Sequence, residues 1–357
     1  MTPDSFCVLD KRGGEGYDTR IPRTGAAFPI NGILTEGELR HEKDHCARRD
    51  GPNALTAVVS VSPNRKKYKT KENETMIRKI ASVILALALI LSSAALADTL
   101  KVAVPNDPTN EGRALLILEA LGAITLKEDA GIEATALDIA SYNADIELVE
   151  VEAAIVPNVL ADVAFAIINN NYALDAGLKP SKDGLYIESA DSPYSNVLCV
   201  REENADAPLT KALIAAFTSK AVADYIAETW PDGDVVSVIA EPTDGFDPTV
   251  DYEALKGTEV SIAVTPVPHK MIAEIAAKTL AEKGITLKIV EVSDYVTPNE
   301  FVESGDVYAN YFAHVPYQEN FNRENGTHLA IVAPIHVEPM ALYGGQASDL
   351  SLLTGAN

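Results

Sequence analysis

The chain has 357 residues and a formal net charge of −23, with 47% hydrophobic residues. That length suggests two or three domains. So acidic a protein is a poor partner for nucleic acid, whose binding depends on basic surface. The three cysteines, Cys7, Cys46 and Cys199, provide no disulfide framework.

Residues 1–75 are rich in Gly, Pro, Arg and Asp and show no sustained helical or strand period. We interpret them as a disordered leader or as an upstream extension from a misplaced start codon. His41, His45 and Cys46 lie close together there, but their spacing fits no common zinc pattern. No metal site is expected in this stretch.

A second possible start lies at Met76. Two basic residues precede an apolar run over 80–91, and a small-residue segment ends at Ala97. This is the anatomy of a secretory signal, so residues 76–97 are expected to direct export to the periplasm or the outer face of the cytoplasmic membrane. A membrane anchor is the alternative, because roughly 18 apolar or small residues are borderline for spanning a bilayer.

Strands and helices alternate from Asp98 onward, which favours parallel sheets of an α/β type. Ligands in such sheets sit beyond the carboxyl ends of strands, where the asparagines 169–171 and the segment 192–196 lie. The predicted elements are strands at 100–104, 147–152, 164–168 and 197–201, a helix over 111–121, and a short helical segment over 157–162.

The stretch 105–113, between the first strand and the first helix, carries the clearest chemical signal. Asn110 is a suitable N-cap, and Arg113 would follow about three residues into the helix. A cation beside free backbone N–H groups is a ready site for a small carboxylate or phosphate. A turn followed by a surface arginine is the alternative.

The second half begins with a helical segment over 208–230, followed by 231–256, a stretch rich in Asp, Gly and Pro that predicts an unusually long linker. An alternating block then places Tyr295, His314 and Tyr317 just past strand ends. Two such blocks predict two lobes with a ligand between them. The predicted elements are a helix from Pro268 to Lys283 and strands at 260–264, 287–292, 307–312, 331–337 and 341–343.

Several stretches together resemble the NlpA-type substrate-binding proteins of bacterial methionine ABC importers. The resemblance covers roughly 98–230 and 257–353. It implies an α/β, two-lobed periplasmic-binding-protein-like fold, each lobe a mixed sheet flanked by helices, that closes over a free amino acid. The matching stretches are PNDPTNEGRALLIL, INNNYAL, DSPYSNVL, TPVPH, SDYVTPNEF, ANYFAHVPY, FNRENGT and HVEPMALY.

The resemblance also implies the ligand contacts. Arg113 would grip the methionine carboxylate, and Asn169 and Asn196 would hydrogen-bond the amino and carboxylate groups. A zwitterion needs such a cation and neutral amides, while a flexible thioether suits aromatic edges and faces. No cofactor is implied. The box around the thioether would consist of Tyr295, Phe312, His314 and Tyr317.

Two features depart from the family pattern. The half that is N-terminal in the family follows its C-terminal half here, which predicts a circular permutation, and the lipid-attachment cysteine is missing. The predicted division of the body places the lobe with Arg113 and Asn169 over 98–196, a crossover and returning helix over 197–230, a linker over 231–256, and the lobe with the aromatic box over 257–357.

The expected function is that of a monomeric, exported binding protein that delivers methionine to the membrane permease of an ABC importer. A receptor for another amino acid, including D-methionine or methionine sulfoxide, or for another small ligand is one alternative, and an inactive rearranged family member is another. An enzyme is disfavoured, because no nucleophile–base pair and no G-x-S-x-G stands out. Glu338 and Asp294 could be paired carboxylates, but surface or hinge hydrogen bonding explains them more simply.

Overall fold

The computed structural model describes Lys79 and residues 99–189 and 193–354. The predicted leader over 1–75 and the signal segment over 76–97, apart from Lys79, lie outside the described residues. None of the described helices is both long enough and apolar enough to cross a membrane.

Strands and helices alternate along the described body, as the sequence predicts. The strands are β1 (Leu100–Pro105), β2 (Ile124–Leu126), β3 (Ile139–Tyr142), β4 (Ile146–Val151), β5 (Phe165–Ile168), β6 (Gly184–Ile187), β7 (Ser195–Arg201), β8 (Val236–Ser237), β9 (Glu259–Val264), β10 (Thr286–Glu291), β11 (Ala309–His314), β12 (Leu329–Val337) and β13 (Ala341–Gly344). The helices are α1 (Pro108–Ala120), α2 (Val156–Val159), α3 (Asn170–Asp175), α4 (Pro180–Asp183), α5 (Pro208–Phe217), α6 (Lys220–Thr229), α7 (Tyr252–Leu255), α8 (Met271–Ala281), α9 (Thr297–Ser304) and α10 (Val315–Asn325).

The first lobe is built on a five-stranded sheet in the order β4-β1-β5-β13-β6. β1 pairs in parallel with β4 and β5, whereas β13 runs antiparallel to β5 and β6. Leu115 and Leu118 of α1 are fully buried against Val102 and Val104 of β1. This helix therefore stays docked on the sheet and holds its first turns at the carboxyl end of β1.

The second lobe is built on a six-stranded sheet in the order β10-β9-β11-β7-β12-β8. β9 pairs in parallel with β10 and β11, and β7 lies antiparallel between β11 and β12. Its core includes the apolar faces of α5, α6 and α8. The predicted α/β fold of two lobes with mixed sheets is confirmed.

The chain passes from the first lobe to the second between β6 and β7, and returns between β12 and β13. The predicted lobe over 257–357 is therefore wrong at its C-terminal end. β13 belongs to the first sheet, where Ala341 pairs with Ile168. Burial explains this assignment, since Leu342 lies in the core of the first lobe.

The segment 231–256, for which the composition predicts an unusually long linker, contains regular structure and buried residues. It contains β8, an edge strand that pairs with β12, and the short helix α7. Val235 and Val250 are buried in the core of the second lobe together with Trp230. A few apolar residues among many Asp, Gly and Pro residues are enough to fix the segment to the surface of this lobe.

The first helix begins earlier than predicted. Asp107 is the N-cap, its carboxylate accepts the Asn110 backbone N–H, and Pro108 occupies the first turn. Asn110 is therefore helical, and Arg113 lies in the second turn, beyond the free N–H groups. Because Asn110 is released from capping, its side chain is available for another role.

Candidate functional site

A cavity lies between the lobes, at the carboxyl ends of β5 and β11, and the empty space there is about 330 Å³ including the part open to solvent. It contains all seven side chains that the sequence singled out. Its full lining consists of Asn110, Arg113, Asn169, Asn170, Asn171, Asn196, Tyr295, Phe312, Ala313, His314, Tyr317 and Glu338.

A chain of hydrogen bonds orients the amides of the first lobe. The Asp107 carboxylate accepts from Asn110 Nδ2 at 2.9 Å, which turns Asn110 Oδ1 away from it. That oxygen accepts from Asn169 Nδ2 at 2.8 Å. Because a carboxylate can only accept, each amide orientation follows from the one before. Asn169 is therefore left with a buried Oδ1 that has no hydrogen-bond partner among the described residues.

Asn170 is in a similar state. Its Nδ2 donates to the backbone carbonyl of Asp234 at 2.6 Å, so its Oδ1 is the free end of the amide. This oxygen is also buried and has no partner within the described part of the chain. A buried acceptor without a partner costs free energy. Two of them in the lining of one cavity indicate a ligand that carries several N–H donors.

His314 is held in one tautomer. The backbone N–H of Tyr317 donates to His314 Nδ1 at 3.1 Å, so the ring proton lies on Nε2, which contacts Asn110 Oδ1 at 3.1 Å. Burial and the nearby Arg113 cation lower the His314 pKa well below its usual value. The ring is therefore neutral and joins the second lobe to the amides of the first.

Arg113 is buried, and most of its donors are already engaged. Nε and Nη2 form a two-bond pair with the Glu188 carboxylate at 2.7 and 2.9 Å, and Nη2 also reaches the Glu338 carbonyl at 2.7 Å. The guanidinium carbon lies 4.2 Å from the ring centre of Tyr194. The remaining nitrogen, Nη1, takes part in none of these bonds. The cation is thus held rigidly at the cavity wall.

The wall from the second lobe is aromatic. The rings of Phe312 and Tyr317 meet edge to face with centres 6.0 Å apart, and Tyr295 lies 6.0 Å from the first and 5.7 Å from the second. Such offset and edge-to-face contacts are the favourable arrangements for aromatic rings. Three rings in mutual contact form a polarisable apolar surface with little freedom to rearrange.

Hydrogen bonds close the two lobes on each other around this cavity. The Tyr295 hydroxyl donates to Asn171 Oδ1 at 2.6 Å, and the Tyr172 hydroxyl donates to the Ser293 carbonyl at 3.0 Å. An exposed ion pair between Arg323 and Glu133, at 2.7 Å, adds a third link at the rim. The structure therefore represents a closed form.

Glu338 lines the cavity and is buried, which rules out a surface position, and it lies in the segment that returns from β12 to β13, as a hinge residue would. Its Oε1 lies 2.7 Å from His336 Nε2 and 3.2 Å from His269 Nε2. His269 Nε2 also lies 3.1 Å from Asn196 Oδ1, and its Nδ1 is 2.7 Å from the Thr265 hydroxyl. These side chains carry donor atoms of the types that metals use, but hydrogen bonds already engage His336 Nε2 with Glu338 and His269 Nε2 with Asn196.

Burial dominates the ionisation of this group. It lowers the pKa of both His269 and His336 to about 3, so both rings are neutral. It raises the pKa of Glu338 to about 7, although His269, Arg113 and the Asn171 backbone N–H act in the opposite direction. The carboxyl group therefore titrates near neutral pH.

Sequence reasoning assigned no ligand contact to four polar members of the lining. Asn170 and Asn171 belong to the same asparagine run as Asn169, so the run itself was the available signal. Asn110 was assigned to capping, and Glu338 comes from the segment where the chain returns to the first lobe. The composition of HVEPM contains nothing that locates such a return.

The family model for NlpA lipoproteins matches residues 58–239 and 260–356, well over half of the chain. The chain belongs to the NlpA lipoprotein family. Curated relatives include the probable D-methionine-binding lipoprotein MetQ of Pasteurella multocida, 45% identical over 127 residues, which are 36% of this chain and 46% of that protein. D-methionine-binding lipoprotein MetQ of Escherichia coli K12 is 42% identical over 142 residues, which are 39% of this chain and 52% of that protein. The chain spans about half the length of the curated relatives it matches.

Solved structures give matches of similar extent. A nutrient binding protein from Burkholderia cenocepacia bound to methionine is 46% identical, with a TM-score of 0.36, over 38% of this chain and 56% of that one. The methionine binding protein MetQ is 41% identical, with a TM-score of 0.37, over 38% and 56%.

Proposed function

We propose that this protein is the receptor of an amino-acid importer and that it captures methionine between its two lobes. One observation carries the proposal: a closed cavity with an arginine and two unpartnered amide oxygens on one side and three packed aromatic rings on the other. The names of the relatives support methionine as the ligand.

A zwitterionic amino acid matches this distribution of groups. The ligand carboxylate would meet Arg113 Nη1 and the Asn196 amide, and the ammonium would donate to the free oxygens of Asn169 and Asn170. A thioether is polarisable and flexible, so it packs well on the rings of Phe312 and Tyr317. Each end of methionine thereby faces a wall of matching chemistry.

The proposal includes export, action as a monomer and delivery of the ligand to a membrane permease. The predicted signal at 76–97 and membership of a lipoprotein family support export. A closed cavity between two lobes suits a carrier, because the ligand is released only when the lobes separate. The hydroxyl groups that contact a histidine in the buried network belong to Thr265 and Tyr311. Neither residue lines the cavity, which favours capture over catalysis.

Calorimetry on the exported protein tests the assignment. We expect L-methionine to bind with a free energy of about −8 to −11 kcal/mol. D-methionine, methionine sulfoxide, leucine and glutamate form the comparison panel, and mass spectrometry identifies any small molecule that co-purifies. The assignment fails if methionine gives no heat while an unrelated amino acid binds clearly.

We further propose that the chain is a circular permutation of the family order, with residues 257–353 moved behind 98–230. The packing of the chain end supports this. Leu350 and Leu353 belong to the same hydrophobic cluster as Leu100 and Val102, so the two ends of the described body approach each other. Nearby ends are what allows a chain to be opened elsewhere without loss of its core.

A further inference from the structure

The carboxyl group of Glu338 is the acidic side chain in the cavity lining, and it is held between two imidazole rings. Both His269 Nε2 and His336 Nε2 approach the same oxygen, Oε1, at 3.2 and 2.7 Å. The neutral His336 ring donates its Nε2 proton to this oxygen, whereas the Nε2 proton of His269 is directed at Asn196 Oδ1, 3.1 Å away. The ionised group is therefore stabilised by hydrogen bonding rather than by a paired cation.

The same network also accommodates the protonated acid. Tyr311 Oη contacts His336 Nδ1, so His336 lies between a phenol and a carboxyl group. If Glu338 carries the proton, its O–H donates to Nε2, and the ring proton moves to Nδ1 and points at Tyr311. An imidazole can exchange which nitrogen is protonated. One proton can thus enter or leave while every heavy-atom contact is kept.

We propose that Glu338, clamped by His269 and His336, is the proton-linked partner of the ligand ammonium, so that capture expels one proton. This inference rests on the proposed function of the cavity. Glu338 as the neutral acid meets the ammonium, its O–H bond breaks, the proton leaves to solvent, and a carboxylate–ammonium pair remains. The ligand class is thereby restricted to molecules with a free, positively charged amine.

Every charged or titratable group that faces Glu338 is consistent with this assignment. Arg113 reaches its backbone carbonyl at 2.7 Å and favours the ionised form. His269 and His336 stay neutral near pH 7, because burial lowers the pKa of each to about 3. Burial also raises the pKa of the neighbouring phenols Tyr295 and Tyr311 well above their usual value. Glu338 is thus the member of this group that changes charge near pH 7.

The direction of the pH effect follows from these charges. Without ligand, burial places the pKa of Glu338 at about 7, and a bound ammonium lowers it. The affinity for methionine is then highest above pH 7 and declines as the pH falls through 7. A group with this pKa is about one-tenth ionised at pH 6, so affinity drops about tenfold between pH 8 and pH 6.

The test is calorimetry with L-methionine from pH 6 to pH 8, repeated at pH 7 in two buffers of different ionisation enthalpy. We expect the affinity to fall about tenfold towards pH 6 and about half a proton to be released at pH 7. Glu338→Gln should lower the affinity at pH 8 about 30-fold or more and abolish both the pH slope and the proton release. The des-amino analogue, 4-(methylthio)butanoate, should bind without a pH slope.

Glu111→Gln is the matched control. Glu111 is also a buried carboxyl group whose pKa is raised to about 7, mainly by burial, but it bonds to the Ala136 backbone and does not line the cavity. This variant should keep the pH dependence of methionine affinity that the parent shows. Binding of methionine without proton release and without a pH slope overturns the inference and leaves the receptor assignment intact. Absence of methionine binding at every pH overturns the receptor assignment itself.

Discussion

The two walls of the cavity are built on different physical principles. On the wall from the first lobe, each polar group is fixed by a partner that is itself fixed: Asp107 orients Asn110, and Asn110 orients Asn169. On the wall from the second lobe, Phe312 and Tyr317 fix each other by ring packing. The polar wall presents hydrogen-bond acceptors in fixed directions. The aromatic wall has a fixed shape but can contact different apolar side chains.

This difference indicates how specificity is divided. Loss of a directional partner leaves a buried charge or amide unsatisfied, which costs more than loss of a packing contact. We therefore expect the polar wall to select for the amino-acid backbone, and the aromatic wall to grade side chains by smaller steps. Substitutions on each wall test this division.

Removal of the Arg113 cation should have the largest effect on methionine affinity. Arg113→Ala should weaken methionine binding by about 2–5 kcal/mol, because it leaves the ligand carboxylate buried without its charge partner. Calorimetry measures the affinity, and circular dichroism monitors the fold. The double variant Arg113→Ala/Glu188→Gln is the second test in case the single variant does not fold. It also neutralises the Glu188 carboxylate, which would otherwise lose its ion pair.

Arg201→Ala provides the matched control for that experiment. Arg201 is partly exposed and pairs with Glu203 at 3.0 Å, away from the cavity. Its loss should leave the affinity unchanged, because exposed ion pairs contribute little. If Arg113→Ala binds methionine as well as the parent does, the carboxylate is held elsewhere, and the polar wall does not have the role described.

The aromatic wall should respond less strongly. Phe312→Ala should reduce the affinity for methionine by about 1.5–3 kcal/mol, the magnitude of burying one large apolar side chain. It should reduce the difference in affinity between methionine and leucine, because the lost ring is part of the surface that distinguishes ligand side chains. Calorimetry with both ligands gives the two numbers.

Phe321→Ala is the control that distinguishes loss of ligand contact from loss of core packing. Phe321 belongs to the same aromatic cluster as Phe312 but does not line the cavity. Both variants should lower thermal stability, whereas only Phe312→Ala should change the preference between the two ligands. An equal change in preference for both variants would mean that the effect comes from loosened packing and not from ligand contact.

The sequence allowed the type of most site residues to be predicted, but not their orientation. Strand periodicity placed Asn169 and His314 at strand ends, and the resemblance supplied their roles. The direction of the Asn169 amide depends on Asp107, which is 62 positions away in the sequence. The burial of Glu338 was missed for a related reason, because its carboxyl group lies 3.2 Å from His269, which belongs to a distant segment of the chain. Contacts between distant segments leave no local pattern.

A smaller effect is expected from the bonds between the lobes. Tyr295→Phe keeps the ring but removes the 2.6 Å bond to Asn171, which should cost about 0.5–1.5 kcal/mol of affinity. Tyr172→Phe removes the comparable bond to Ser293, and this residue does not line the cavity. If closure is the cause, both variants should lose similar affinity by calorimetry. A loss in Tyr295→Phe alone would assign the hydroxyl to the polar wall instead.

The smallest change should follow from restoring the family order of the two blocks. In the restored chain, Thr354 is joined to Thr99 through a short connection, and the chain is opened between 239 and 257. Leu353 and Val102 already share one hydrophobic cluster, so the new connection has little distance to span. The opened segment contributes Val250 to the core of the second lobe, so a modest loss of thermal stability is expected. Both walls of the cavity keep every contact, and methionine affinity should therefore equal that of the parent. A large loss of affinity in a folded restored chain would contradict the permutation, because it would show that the present order is needed to bring the two walls together.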